Sequence, residues 1–140
     1  MRCADAPPAG EAHLLVVEDD PALREVVVEA LTEAGYRAHG APDGAAALAR
    51  VAHPDAPPVG AVLLDLRLPD MDGRAFAMRY RRLPGPPAPL LLLTGAPPAE
   101  AAAAAAQLGA AGVVPKPFDL DALLATMGRC LPPPAAPPGA

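Results

Sequence analysis

The 140-residue chain has no tryptophan, two tyrosines and two phenylalanines, so aromatic side chains cannot carry its core. Hydrophobic residues make up 52% of it, but much of that is alanine, which leaves a few Leu/Val clusters to supply the burial. No apolar run approaches the roughly 20 residues that span a bilayer. No basic segment followed by a hydrophobic one marks a signal peptide. Cys3 and Cys130 sit near opposite ends without metal-ligand spacing. They read as free thiols of a reducing compartment, and the expected location is the cytoplasm. Positive charge is scarce too. The formal net charge is -5 and no Lys/Arg-rich run is present, which argues against holding nucleic acid through its phosphates. The cluster Arg79, Arg81 and Arg82 reads as a solvated helix face.

Proline is plentiful, with 21 residues, and it falls largely between periodic segments or at the ends. The length suits one domain with a real core. Residues 1–11 and the Pro/Ala-rich tail 132–140 read as disordered extensions of a folded domain over 12–131.

Within that domain, short apolar runs alternate with helical patterns. Leu14-Leu15-Val16-Val17 runs into Glu18-Asp19-Asp20 and has the pattern of a strand buried on both faces. Asp20-Pro21 then supplies an N-cap and a proline at the first helical position. Leu23, Val26, Val27, Ala30 and Leu31 recur at helical spacing up to a stop at Gly35. Residues 36–41 form a weaker strand, followed by a short Ala-rich helix capped by Asp43 and ending near Ala52. A strongly aliphatic strand at 59–64 ends in Asp65, and a helix follows over about 73–83. Leu90-Leu91-Leu92-Leu93 ends in Thr94-Gly95. Residues 99–108 are nearly all alanine, a helix with high propensity and little to anchor it. Gly112-Val113-Val114 runs into Pro115-Lys116-Pro117, and Leu120, Leu123, Leu124 and Met127 make the stripe of a last helix.

This alternation predicts an α/β fold: a doubly wound five-stranded parallel sheet, flavodoxin-like in the order 2-1-3-4-5, with five helices on its two faces. Ligands of such sheets bind beyond the carboxyl ends of the strands. Glu18-Asp19-Asp20, Asp65, Thr94 and Lys116 each follow a different strand and converge there. Singly, each has an ordinary explanation. Asp20 is an N-cap, a lysine before proline is a surface charge, and Thr-Gly after a strand is turn chemistry. Together they predict a site. Glu18, Asp19 and Asp65 in one pocket repel one another unless a cation intervenes, and an all-oxygen set without His or Cys points to Mg²⁺. An aspartate beside Mg²⁺ can serve as a nucleophile and form an acyl phosphate, with Lys116 and Thr94 as the cation and hydroxyl around the phosphoryl oxygens.

Val16-Val17-Glu18-Asp19-Asp20-Pro21, the segment from Leu63 to Gly73 with Asp65 and Pro69-Asp70-Met71-Asp72-Gly73, Leu93-Thr94-Gly95 and Lys116-Pro117-Phe118 together resemble the receiver domain of bacterial two-component response regulators. The resemblance covers about residues 13–130. It implies that Asp65 accepts a phosphoryl group from a phosphohistidine on a sensor histidine kinase or phosphotransfer protein. It further implies that Asp19 and Asp65 bind Mg²⁺ with the backbone carbonyl of Arg67, that Glu18 acts through water, and that Thr94 and Lys116 contact the phosphoryl oxygens. A cis peptide at Lys116-Pro117 belongs to the same pattern. The implied protein is a signalling switch, not an enzyme. It meets a downstream protein of unknown identity through the surface around the fourth helix, fifth strand and fifth helix. No output domain fits in the remaining residues, so a stand-alone regulator is expected. Val113 departs from the pattern, since the family usually has an aromatic residue three before the lysine. That departure gives some weight to a receiver-shaped interaction module that works without phosphorylation. A metal-dependent hydrolase of the haloacid-dehalogenase type is disfavoured, because Leu66-Arg67 follow Asp65 where an Asp-x-Asp motif needs its second acid.

Overall fold

The aliphatic runs form the sheet and the segments between them form its covering layers. A computed structural model describes residues 13–56, 59–84, 87–116 and 119–130. Its elements, in chain order, are β1 (His13–Val17), α1 (Pro21–Glu33), β2 (Arg37–Ala41), α2 (Gly44–Ala52) and β3 (Val59–Asp65). There follow α3 (Gly73–Arg81), β4 (Leu90–Thr94), α4 (Pro98–Leu108), β5 (Gly112–Pro115) and α5 (Leu120–Cys130). The strands pair in the order β2-β1-β3-β4-β5, and every pairing is parallel. The predicted fold and strand order are therefore those observed.

Alternate residues of the central strands feed two cores. Leu15, Val17, Val62, Leu64, Leu90 and Leu92 point to one face, where Ala47 of α2, Phe76, Ala77 and Tyr80 of α3 and Leu108 of α4 cover them. Leu14, Val16, Ala61, Leu63, Leu91 and Leu93 point to the other, against Val27 and Leu31 of α1 and Leu123 and Met127 of α5. Both faces are dry, which is why these strands read as unbroken aliphatic runs. Phe76 is fully buried. Tyr80 Oη accepts from Ala88 N (2.7 Å) and donates to Ala88 O (3.2 Å), fixing the approach to β4. Val113 is half-buried, level with Leu92 on β4, and packs on the α2–α4 side of the sheet.

Element ends differ from the sequence expectation by one or two residues, for local reasons. β2 starts at Arg37 rather than at Tyr36, because the Tyr36 N–H bonds back to Leu31 O. Gly35, with φ 103°, donates to Thr32 O, so α1 ends in a Schellman motif that only a residue tolerant of positive φ completes cheaply. α4 ends the same way at Gly109 (φ 66°). α3 stops at Arg81 because Arg82 and Leu83 donate to carbonyls three residues back, a tightened last turn. Arg79, Arg81 and Arg82 are exposed, as expected of a solvated face, and Arg81 also donates to Leu108 O at the end of α4.

The expected extensions at 1–11 and 132–140, Cys3 and the Lys116-Pro117 peptide lie outside the described residues. Among the described residues no helix is long and apolar enough to cross a membrane.

Candidate functional site

The chain leaves each strand end differently, and the differences assemble the site. After β1 the backbone stays against β2: Glu18 N donates to Ala41 O (3.1 Å), which turns the Glu18 side chain inward, where it is 1% exposed. Arg24 of α1 donates from Nη1 to Glu18 O (2.8 Å), with its stem over Gly40, where a Cβ would lie 2.8 Å from Arg24 Cδ. Asp19 is exposed. Asp20 is used by the helix, since its Oδ1 accepts from Ala22 N and Leu23 N.

Asp65, the last residue of β3, is 9% exposed, and its Oδ1 accepts from Arg67 N at 3.0 Å. This Asx turn fixes the carboxylate relative to the backbone that follows it. Thr94, at the end of β4, is buried, and its Oγ1 accepts from Ala96 N at 3.0 Å. Lys116 donates its backbone N–H to Thr94 O (2.7 Å), which brings the residue after β5 beside the end of β4. Its Nζ reaches Glu18 Oε1 at 2.5 Å and Asp65 Oδ2 at 3.2 Å. It is the only lysine in the chain.

Carboxylate oxygens of Glu18, Asp19 and Asp65 lie within 4.8 Å of one another. Asp19, Asp65, Arg67, Thr94 and Lys116 line an open cleft of about 710 Å³ that extends to Glu100 on α4. Glu18 lies behind this wall. Thus the structure brings Glu18, Asp19, Asp65, Thr94 and Lys116 together, with the Arg67 backbone at the rim, and leaves Asp20 out.

The charges are unequal. Burial, and then the adjoining Asp65 carboxylate, pushes Glu18 up to about 7. Burial also pushes Asp65 upward, but hydrogen bonds from Glu18 and Arg67 N together with the Lys116 charge outweigh it and hold Asp65 below the usual carboxylate range. Burial disfavours the Lys116 ammonium, yet Glu18 and Asp65 hold it charged, above the ordinary lysine value. The donor set is all oxygen and fits a hard divalent cation such as Mg²⁺.

Residues 14–127 match the response regulator receiver domain family. The chain belongs to that family. Response regulator MprA of Mycobacterium sp. (strain KMS) is 39% identical over 121 residues, which is 85% of this chain and 50% of that protein. The regulatory protein AtoC of Escherichia coli (strain K12) is 36% identical over 121 residues, 85% of this chain and 25% of AtoC. The chain thus spans half the length or less of these curated relatives. Among solved structures, chemotaxis response regulator CheY4 of Vibrio cholerae superposes with a TM-score of 0.71 at 30% identity, covering 86% of this chain and 98% of that one. The non-phosphorylated HemR receiver domain of Leptospira biflexa gives 0.69 at 34% identity, over 89% and 99%.

Three residues that shape this receiver site receive no role from the sequence alone. Arg24 holds the Glu18 carbonyl, and Asp70 and Met71 dock the loop after β3 on α2. Arg24 lies in an unremarkable helix, and Asp70 pairs with donors 25 and 26 residues earlier in the chain. Asp70 and Met71 stand in the Pro69–Gly73 segment that carries the family resemblance, but nothing in the sequence names α2 as their partner.

Proposed function

We propose that the chain is a phosphorylation-activated switch of a two-component system, with Asp65 as phosphoacceptor. The observation that carries this reading is the Asp65 carboxylate lining the open cleft, with Lys116 Nζ 3.2 Å from its Oδ2. An oxygen of Asp65 attacks the phosphorus of a phosphohistidine. A P–O bond forms, the P–N bond breaks, and the imidazole of the kinase or phosphotransfer protein leaves and takes a proton. Lys116 is positioned to pair with the incoming phosphoryl oxygens, exchanging part of its contact with Glu18 for them. The Thr94 hydroxyl, whose proton is not committed to Ala96, can donate to the same oxygens. Arg67 N keeps Oδ1 oriented, so one oxygen is held while the other reacts.

Glu18, Asp19, Asp65 and the Arg67 carbonyl are the groups that would hold Mg²⁺. When bound, the ion supplies positive charge that offsets carboxylate repulsion and the charge of the phosphoryl oxygens. The resulting aspartyl phosphate biases the α4–β5–α5 surface toward a downstream protein. Upstream, the partner is a sensor histidine kinase or phosphotransfer protein. The proposed location is the cytoplasm.

Val113 supports one second reading, a receiver-shaped module that binds its partner without phosphorylation. No aromatic ring stands at that position of β5 to follow Thr94 inward. Intact-mass analysis after incubation with acetyl phosphate separates the two. A Mg²⁺-dependent gain of one phosphoryl group supports the switch. A chain that binds Mg²⁺ but never gains the group supports the module.

A further inference from the structure

The loop between β3 and α3 is closed at its base and pinned at its tip. At the base, Arg67 and Asp72 form an antiparallel bridge, and Gly73 N donates to Leu66 O at 3.1 Å. Gly73 leaves no slack, since a Cβ there would lie 2.8 Å from Leu66 Cδ2. At the tip, Asp70 Oδ1 accepts from Gly44 N (2.9 Å) and Oδ2 from Ala45 N (2.8 Å), the first two residues of α2. Met71 lies on the same helix start, where a Cβ on Gly44 would stand 2.6 Å from its sulfur.

A helix needs its first N–H groups satisfied, and local residues normally do this. α2 has such a cap: Asp43 Oδ1 accepts from Ala46 N at 2.7 Å. Gly44 and Ala45 are served instead from the β3–α3 loop by a carboxylate using both oxygens. That two-point attachment fixes the loop in orientation as well as position. The Gly44 N–H foremost, with Ala45 N–H after it, outweighs desolvation and holds the Asp70 carboxyl below its ordinary range, so the clamp is charged at neutral pH. The loop it fixes carries the Arg67 N–H that orients Asp65.

We propose that Asp70 is a positioning residue of the receiver site. Its clamp on Gly44 and Ala45 holds loop 66–73 so that the Arg67 backbone presents its N–H to Asp65 and its carbonyl to the cation. The inference rests on the reading of Asp65 as phosphoacceptor and Arg67 as a backbone ligand. It makes α2 part of the scaffold of the site, although no residue of α2 lines the cleft.

The test compares Asp70→Ala with Asp43→Ala. Both remove a cap from the same end of α2, but only the first releases the loop. Three properties are read on the full chain: hydrogen exchange of the Arg67 amide by NMR, Mg²⁺ binding by calorimetry, and labelling by acetyl phosphate. Asp70→Ala is expected to accelerate Arg67 exchange and weaken Mg²⁺ binding by about tenfold, the usual scale for a residue supporting a metal ligand. Asp43→Ala keeps both at wild-type values despite a similar loss of thermal stability. Asp70→Asn, which retains one acceptor oxygen, falls between. Equal exchange and equal Mg²⁺ affinity in the two alanine variants overturn the proposal, leaving Asp70 a helix cap only. If wild type takes no phosphoryl group, the functional reading fails on its own, while the Arg67 exchange rates still decide the clamp.

Discussion

Lys116 Nζ stands 3.2 Å from Asp65 Oδ2, although 51 residues separate the two in sequence. The contact exists because β4 and β5 pair in register up to Thr94 and Pro115, and Lys116 N then bonds Thr94 O. The same ammonium reaches Glu18, so a single cation tethers two carboxylates that would otherwise repel. A phosphoryl group on Asp65 brings more negative charge within its reach.

Lys116→Ala should therefore separate binding from signalling. The carboxylates keep their oxygen ligands, and Mg²⁺ affinity measured by calorimetry stays close to wild type. The phosphorylated state loses a charge-assisted contact worth about 1.5–3 kcal/mol, so the phosphorylation-dependent shifts of α4–β5–α5 amide resonances shrink. A variant that shows the full shifts contradicts the role given to Lys116.

Thr94→Val keeps the side-chain volume and deletes the buried hydroxyl. Ala96 N then has no side-chain acceptor at that position, at a stability cost of about 1 kcal/mol in urea denaturation. Labelling by acetyl phosphate should also slow relative to wild type, and Thr94→Ser should restore the rate. Equal rates in all three proteins contradict a phosphoryl contact by the hydroxyl.

Stability should fall in mild acid through the histidine pair at the amino end of the sheet. His13 Nδ1 and His39 Nε2 are 2.6 Å apart, with the rings inclined by 11° and their centroids 4.8 Å apart. At that separation the two ring nitrogens are hydrogen-bonded, which requires one of them to be without a proton. Burial first, then Arg37 and Arg50 for His13, and Arg50 and His13 for His39, hold both below the ordinary histidine value of 6.5. The folded state thus favours the neutral rings. Their contribution is complete above the unfolded value and is lost as the pH falls through the folded ones. Urea melts between about pH 8 and pH 5 should show a steeper loss for wild type than for His39→Gln. Parallel curves contradict this account of the pair.

Phe76→Ala should cost about 3–5 kcal/mol, because a fully buried ring is removed from the core that joins α3 to the sheet. The midpoint of urea denaturation is the measurement, and a loss below 1 kcal/mol would mean that the helix repacks over the gap.

The strands and caps were legible because their causes are local. β1, β3 and β4 are buried on both faces and so carry unbroken aliphatic runs, while Asp20 and Asp43 each cap a helix within three residues of themselves. Glu18, Asp19, Asp65, Thr94 and Lys116 were legible as a group for a different reason. Each sits at a strand end, and parallel topology leaves few ways to arrange those ends. Asp70 is a distant partner of Gly44, and the His13–His39 contact depends on the β1–β2 register. Neither follows from periodicity. Tyr36 has a side chain that suits a strand, but its N–H completes the end of α1, so β2 begins one residue later.

The most direct measurement locates the modified residue. The chain is treated with acetyl phosphate and Mg²⁺ and reduced with borohydride, which converts an aspartyl phosphate to homoserine. It is then digested and mapped by mass spectrometry, alongside Asp65→Asn. The account predicts homoserine at position 65 only, absent when Mg²⁺ is chelated and absent from the variant. Conversion at another aspartate, or undiminished labelling of Asp65→Asn, would contradict it.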